Sequence, residues 1–484
     1  MMTGNCFIVK SLADGSSTIT VSLPEALLSR GQLKGNTLRI KAGQSEITAL
    51  VRINQTQREI HISEQGLIRL GLPSGLKLQA VMSPGCLRLG PVIGIFVGRG
   101  YLNNIREGGS HFRLLGLVEG NRRAHTLLYL FTLRDVNWQR GRITGTYYNY
   151  EENRWAKHPF PFPDILYDRA GGFSGEAEKN ARRLRQRLQG IPGLKTINCQ
   201  HYFDKWVLHQ ALHKHGDVRE YLPKTLIYDR QNLEHMLRDY KVIYIKTCTG
   251  SNGRGVIRVA RETIGYTLTF FTQTQIEKKI VSLSHLEEEI RKIIGRSRAI
   301  VQQGLDLVSH NGAIVDLRPL YQKNGQGEWQ VTAIPVRVGV RGAHITSTRT
   351  GSRVYDFPYF FEVLAGYSKE QSQALQDRIK GLLHRIVTLL EEEFGPFGEL
   401  GIDLALDKDA KPGKDTVALG CGEETFIEAF LAPWNMPSFW PVLKRRPFPA
   451  TSPLPAGSRW AGDEKVLSLT PAVCPAAAPG QGQR

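Results

Sequence analysis

The residues best suited to chemistry lie in Tyr244–Val259, which reads YIKTCTGSNGRGVIRV. β-Branched residues at Val242–Ile245 predict a strand that delivers Lys246 at its exit. Gly250, Gly253 and Gly255 space the polar loop that follows, with Ser251 and Arg254 between them. Gly255–Ala260 predicts the returning strand. Backbone N–H groups of glycine approach an anion without a side chain in the way, and a lysine adds charge, so the pattern suits a phosphate grip. It is neither a Walker A loop nor a GxGxxG turn, and a glycine-rich hairpin taken alone is more often just a turn.

Three further groups lie downstream. Asp403 in GIDLAL and Glu428 in TFIEAF sit in two strand-like runs. Paired antiparallel strands would set these carboxylates side by side, where they suit Mg²⁺. Asp316-Leu317-Arg318 and, in the next run, Arg337 offer guanidinium groups for a transferred phosphoryl charge. Asp316 equally suits a plain ion pair. Gln302 and Gln303 end an apolar run from Ala299, where a hinge would meet the edge of an adenine. His209 and His213 stand four apart, but the sequence HQALH lacks the glutamate of HExxH, which favours packed or solvated histidines over a zinc site. No Gly-x-Ser-x-Gly elbow is present, and no cysteine has an obvious local histidine partner, so covalent nucleophilic catalysis lacks support.

The bulk properties narrow the classes. In 484 residues, 63 basic and 45 acidic side chains leave a net charge of +18, which suits an anionic partner without choosing which. Arg182, Arg183, Arg185 and Arg187 read as a solvated helix face rather than a nucleic-acid arm. The 6 cysteines form no CxxC pair, so no zinc ribbon or disulfide framework is expected. No apolar run is long enough to span a bilayer, and the first residues lack signal-peptide character. A cytoplasmic setting is expected.

The elements that must position these groups fall into four stretches. Residues 1–88 alternate in short runs and predict an all-β, barrel-like module, with Leu67–Leu72 among its strands. Residues 89–195 mix apolar strands and helices and predict an α/β domain. It opens on a continuous strand at Leu87–Val97 and carries WAKHPFPFPDILYDR (Trp155–Arg169) as a rigid surface segment running into a strand. Residues 196–444 mix strands and helices again. They include a hairpin of Ala313–Tyr321 with Trp329–Val340 and an amphipathic helix over Lys369–Phe394. Residues 445–484, rich in Pro and Ala, predict a flexible tail.

The order lysine, lysine with glycine loop, Gln-Gln, Asp-x-Arg, Arg, Asp and Glu resembles the ATP-grasp superfamily. Within it, the chain is most similar to the YheC/YheD family of endospore coat-associated proteins. LRLGPVIGIF, WAKHPFPFPDILYDR, FDKW, YIKTCTGSNGRGVIRV, IVQQGLDL, VDLRPLYQK, PVRVG, GELGIDLALD and FIEAF carry the likeness. The resemblance implies an α/β pre-ATP-grasp domain followed by an ATP-grasp fold, ATP with Mg²⁺, and a sporulating bacterial source. It implies a ligase that phosphorylates a carboxylate and lets an amine or thiol attack the acyl phosphate. In that scheme Lys205 and Lys246 contact phosphates and the Gly250–Gly255 loop closes over them. Gln302 and Gln303 meet adenine, Arg318 and Arg337 stabilise charge, and Asp403 and Glu428 hold Mg²⁺. The family's Glu-x-Asn reads Glu428-Ala429-Phe430 here, and phenylalanine cannot ligate a metal. Ser347-Thr348 and Gly351-Ser352 also depart from the family's pattern, and Lys408–Glu424 is inserted between the metal strands. These departures favour an alternative: an ATP-binding structural or scaffold protein of the spore coat with weakened turnover.

Overall fold

The computed structural model describes residues 6–12, 18–28, 35–106, 112–249, 255–272, 274–343, 346, 351–406 and 417–420. Seven strands from Cys6–Leu12 to Cys86–Leu89 close into a barrel, in which parallel and antiparallel pairs alternate except at Leu76–Ser83, which is antiparallel to both neighbours. Leu67–Leu72 is not a strand. Glu64–Leu70 is a helix, and left-handed Gly71 ends it by returning its N–H to Leu67 and Ile68 carbonyls. Gly66, Leu67 and Leu70 are its buried residues, a helical spacing rather than an alternating one.

The expected strand Leu87–Val97 is two strands. Cys86–Leu89 belongs to the barrel, and Val92–Phe96 begins a new sheet beyond Gly90-Pro91. Val92–Phe96 pairs in parallel with Leu127–Phe131 on one side and Ile165–Asp168 on the other. All five residues of Val92–Phe96 and of Leu127–Phe131 are buried, as a covered parallel sheet requires. The proline-rich run is not a surface segment. Arg154–Pro161 is a strand paired with Arg142–Asn149, and Phe160 and Phe162 are buried. Tyr129 stacks on Phe160 with centroids 4.8 Å apart and donates its hydroxyl to the Pro161 carbonyl. Val21, Ile40 and Ile60 of the barrel share one hydrophobic cluster with Phe96, Phe131 and Phe160 of this sheet.

Thr225–Ile227, Ala299–Gln303, Val242–Thr247, Val256–Arg261, Tyr266–Phe271 and Gln275–Ile280 form, in that order, a six-stranded antiparallel sheet. Helices Arg230–Asp239 and Leu283–Ile294 bury Leu233, Met236, Leu286 and Ile290 against Ile243, Ile245, Val259 and Val301 on one face of it. The long hairpin beyond it is broken by Pro319 and Pro335, so it serves two sheets. Ala313–Leu317 pairs Val336–Val338, while Leu320–Lys323 pairs Trp329–Ala333. Proline has no N–H for a ladder, which accounts for the breaks. Helix Lys369–Phe394 opens on a Ser368–Gln371 capping box and buries Leu375, Ile379, Leu382, Leu383, Ile386 and Leu390, the stripe its spacing predicts. Among the described residues no helix is long and apolar enough to cross a membrane.

Candidate nucleotide site

Alternation along Val242–Thr247 decides which side chains leave the core. Ile243 and Ile245 pack under the helices, so Tyr244 and Lys246 project from the opposite face. Tyr244 lies opposite Gln302 on one neighbour and Arg258 on the other. Lys246 Nζ donates to Gln302 Oε1 at 2.7 Å, and Gln302 Nε2 donates to Thr225 Oγ1 at 2.9 Å. Thr225 Oγ1 in turn donates to the Pro223 carbonyl at 2.9 Å. The result is a polar face on a sheet whose other face is oily. Gln303 sits at the end of this row, where its backbone N–H and side-chain oxygen both bond Lys224.

Lys205 is the first residue of helix Lys205–His213, which Asp204 caps by accepting from the N–H groups of Trp206 and Val207. Its side chain is buried, and its N–H donates to the Cys248 carbonyl at 3.0 Å, just past the end of the Lys246 strand. Both candidate phosphate lysines therefore belong to adjoining segments. Gly250, Ser251, Gly253 and Arg254 lie outside the described residues. Gly255 is described: its φ is +74°, and a Cβ there would come 2.8 Å from Thr247 Oγ1, so the loop's exit requires glycine.

Four charged side chains interlock on the sheet that carries Asp316 and Asp403. Arg318 holds Asp403 through Nε and, at 2.9 Å, through Nη2. Arg337 holds both oxygens of Asp316 at 2.6 Å and reaches Asp403 Oδ1 at 2.9 Å. Thr346 donates to Asp316 as well. Burial opposes the charge on Arg337, but the bond to Asp316 and the field of Asp403 outweigh it and hold its pKa above the ordinary arginine value.

This arrangement bears on the metal. Both oxygens of Asp403 accept from guanidinium groups, and among the described residues no cluster of three or more His, Cys, Asp or Glu is placed to hold an ion. The described residues therefore do not by themselves fit Mg²⁺. The strand paired with Asp403–Leu406 is Val417–Gly420, with Asp403 opposite Gly420, and it arises from the stretch read as an insertion. Glu428 and Phe430 lie outside the described residues.

His209 is buried between Trp206 and His213, with ring centroids 5.8 and 5.3 Å away. Of the four arginines read as a solvated face, Arg182 makes an exposed ion pair with Glu178, and two others are engaged more deeply. Arg185 forks onto Asp168, and Arg187 stands 3.8 Å over the Trp138 ring. Sequence reasoning missed Thr225, Tyr244 and Arg258. The signal was present: once Lys246 is assigned to the open face, the residue two before it must share that face.

With this geometry in place, likeness to known proteins can be weighed. Residues 193–412 match a family model of ATP-grasp type. More narrowly, they match the family model described as YheC/D-like ATP-grasp. The endospore coat-associated protein YheD of Bacillus subtilis (strain 168) is 26% identical over 416 residues, covering 82% of this chain and 86% of that protein. Endospore coat-associated protein YheC of the same organism is 25% identical over 297 residues, covering 59% of this chain and 81% of that protein. Among solved structures, D-cycloserine synthetase DcsG is 13% identical, with a TM-score of 0.43 over 70% of this chain and 97% of that one.

Proposed function

We propose that the protein binds ATP on the polar face of its six-stranded sheet and acts as an ATP-dependent carboxylate–amine (or thiol) ligase. The observation that carries this reading is the Lys246–Gln302–Thr225 row on the face opposite the helices, where Gln302 and Thr225 are buried and Lys246 is half-buried. A lysine oriented by a glutamine suits a phosphate, and Gln302 with Gln303 suits an adenine edge. A carboxylate oxygen would attack the γ-phosphorus, releasing ADP and forming an acyl phosphate. An amine would then attack the acyl carbon and phosphate would leave. Arg318 and Arg337 lie where fixed positive charge would stabilise these steps. Lys205 and the Gly250–Gly255 loop complete the phosphate grip in this reading. Mg²⁺ belongs to it as an ion carried in by the nucleotide, with Asp403 and Glu428 as the carboxylates proposed to meet it.

The relatives named as endospore coat-associated support an association with the spore coat; a peptide or envelope component is the carboxylate in this proposal. A second reading, an ATP-binding coat scaffold with weakened turnover, draws support from the guanidinium groups that occupy Asp403 and from Phe430. ADP release separates the two. The ligase reading expects ADP in proportion to a carboxylate from a panel of amino acids, short peptides and envelope precursors. ATP binding with no ADP release across that panel would establish the scaffold instead.

A further inference from the structure

Arg258 lies on the same polar face as Lys246, one strand further on, in Val256–Arg261. Its sequence neighbours Ile257 and Val259 are buried against the helices, so alternation turns Arg258 the other way. In the ladder it stands directly opposite Tyr244 on one side and Thr269 on the other. Lys246 is two residues beyond Tyr244, which makes Lys246 and Arg258 diagonal neighbours, about 7–8 Å apart and within reach of one small ligand. Lys246 leans back over Tyr244, its Nζ 5.8 Å from the ring centre. The two cations flank one aromatic ring.

Charge and hydrogen bonding are both incomplete at this corner. Half-buried Arg258 donates to the Tyr244 hydroxyl; burial raises that phenol's pKa, and the charge and bond of Arg258 oppose the rise. A phenol is neutral and takes one bond, whereas a guanidinium carries a full charge and five donors in a planar fork. Among the described residues no carboxylate forms an ion pair with Arg258. Thr269 is 3% exposed, and its Oγ1 has no hydrogen-bond partner among the described residues. A buried hydroxyl left so is costly, and a bound partner removes the cost. Thr267, on the same face, shows the contrast: its Oγ1 accepts from Lys279 and donates to Glu262. Glu277, opposite Thr269 on the next strand, is exposed and lies 3.7 Å from Lys279, so the cationic part of the row ends at Thr269. A guanidinium beside an orphan hydroxyl, with a lysine on the diagonal, is a donor set for a phosphate.

We propose that Arg258 and Thr269 form a subsite for the terminal phosphate of a triphosphate, which crosses the ladder from Lys246, and that Arg258 sets the preference for ATP over ADP. Tyr244 is the positioning residue that holds the guanidinium. The ligand's identity as a nucleotide rests on the function proposed above; the oxyanion subsite does not. The test is calorimetric titration of the full chain with ATP, ADP and inorganic tripolyphosphate, each with Mg²⁺. The wild type prefers ATP to ADP at least tenfold. Arg258→Gln weakens ATP at least tenfold and leaves ADP within twofold, so the preference disappears; Arg258→Lys restores part of it. Thr269→Val weakens ATP severalfold, spares ADP, and melts no lower than the wild type, because a methyl replaces an orphan hydroxyl. Lys246→Ala, by contrast, weakens both nucleotides. Thermal melts confirm that each variant is folded, and if Arg258→Gln does not fold, Arg258→Lys and Thr269→Val decide. Equal affinity of the wild type for ATP and ADP overturns the subsite, as does a folded variant that loses both nucleotides equally or neither. If no nucleotide binds the wild type, the nucleotide reading falls and tripolyphosphate decides: binding that Arg258→Gln abolishes supports the subsite, and no binding overturns it.

Discussion

Arg337 joins two carboxylates that belong to different strands: its Nη2 lies 2.6 Å from Asp316 Oδ2 and 2.9 Å from Asp403 Oδ1. Asp316 is directly across the ladder from Arg337, whereas Asp403 is on the strand beyond. One guanidinium thus fixes the spacing of three strands on the wall that faces the nucleotide row in the function proposed here. Removing it leaves Asp316 without a guanidinium partner and Asp403 with Arg318 alone. Arg337→Ala is expected to lower stability by about 3–5 kcal/mol, read from urea unfolding. A loss below about 1 kcal/mol would show that the group is not a buried network at all.

The same bonds predict how divalent ions behave. With Asp403 held by two guanidinium groups, an ion arriving alone meets, among the described residues, positive charge and an Asp403 whose two oxygens are both engaged. Mn²⁺ alone should give no saturable binding by electron paramagnetic resonance, and Mn²⁺ with ATP should give one bound ion. Tight Mn²⁺ binding by the protein without nucleotide would contradict this.

His209 supplies an acid-sensitive element beside Lys205. Burial, with His213 and Lys224 nearby, brings its pKa down from 6.5 to about 4. Between those values the unfolded chain holds a proton on this residue and the folded chain does not. Stability is therefore full above pH 6.5 and falls as pH drops towards 4, by up to about 3 kcal/mol at 1.36 kcal/mol per unit. His209→Phe keeps a ring against Trp206 and should flatten this part of the profile. Wild type and variant losing the same stability between pH 7 and pH 4 would exclude His209 as its source.

The helix Lys369–Phe394 tests the packing beneath the Arg318–Arg337–Asp403 network. Leu383 and Ile379 are fully buried in the cluster that includes Leu317, Val336 and Leu404. Leu383→Ala should cost about 2–5 kcal/mol, measured as a shift in unfolding midpoint. Leu383→Met, of similar volume, should cost less than about 1.5 kcal/mol.

Elements with a clean period were legible in the sequence. The stripe from Leu375 to Leu390 predicted its helix, and Val242–Ile245 predicted the strand that presents Lys246. Short apolar runs were not legible. Leu67–Leu72 fits a strand or a helix by composition, and a left-handed Gly71 cap decided for the helix. Trp155–Pro163 looked like a surface segment because of its prolines, but Phe160 is drawn inward by Tyr129. In the candidate site, Arg318, Arg337 and Asp403 do come together. That they neutralise one another could not be read from spacing, because it depends on how two sheets share one bent hairpin. Tyr167 and Arg169 were noticed as part of a motif; their meeting with Glu399, more than two hundred residues away, needed the fold.

The central claim, that a nucleotide is held by the Lys246–Gln302 row, is tested most directly by calorimetric titration of Mg²⁺-ATP into the full chain and into Lys246→Ala. Lys246 is partly exposed on the open face, so the alanine variant should remain folded. Saturable one-site binding to the wild type with at least a tenfold loss in Lys246→Ala is the predicted result. No binding to the wild type, or equal affinity in both proteins, would contradict it.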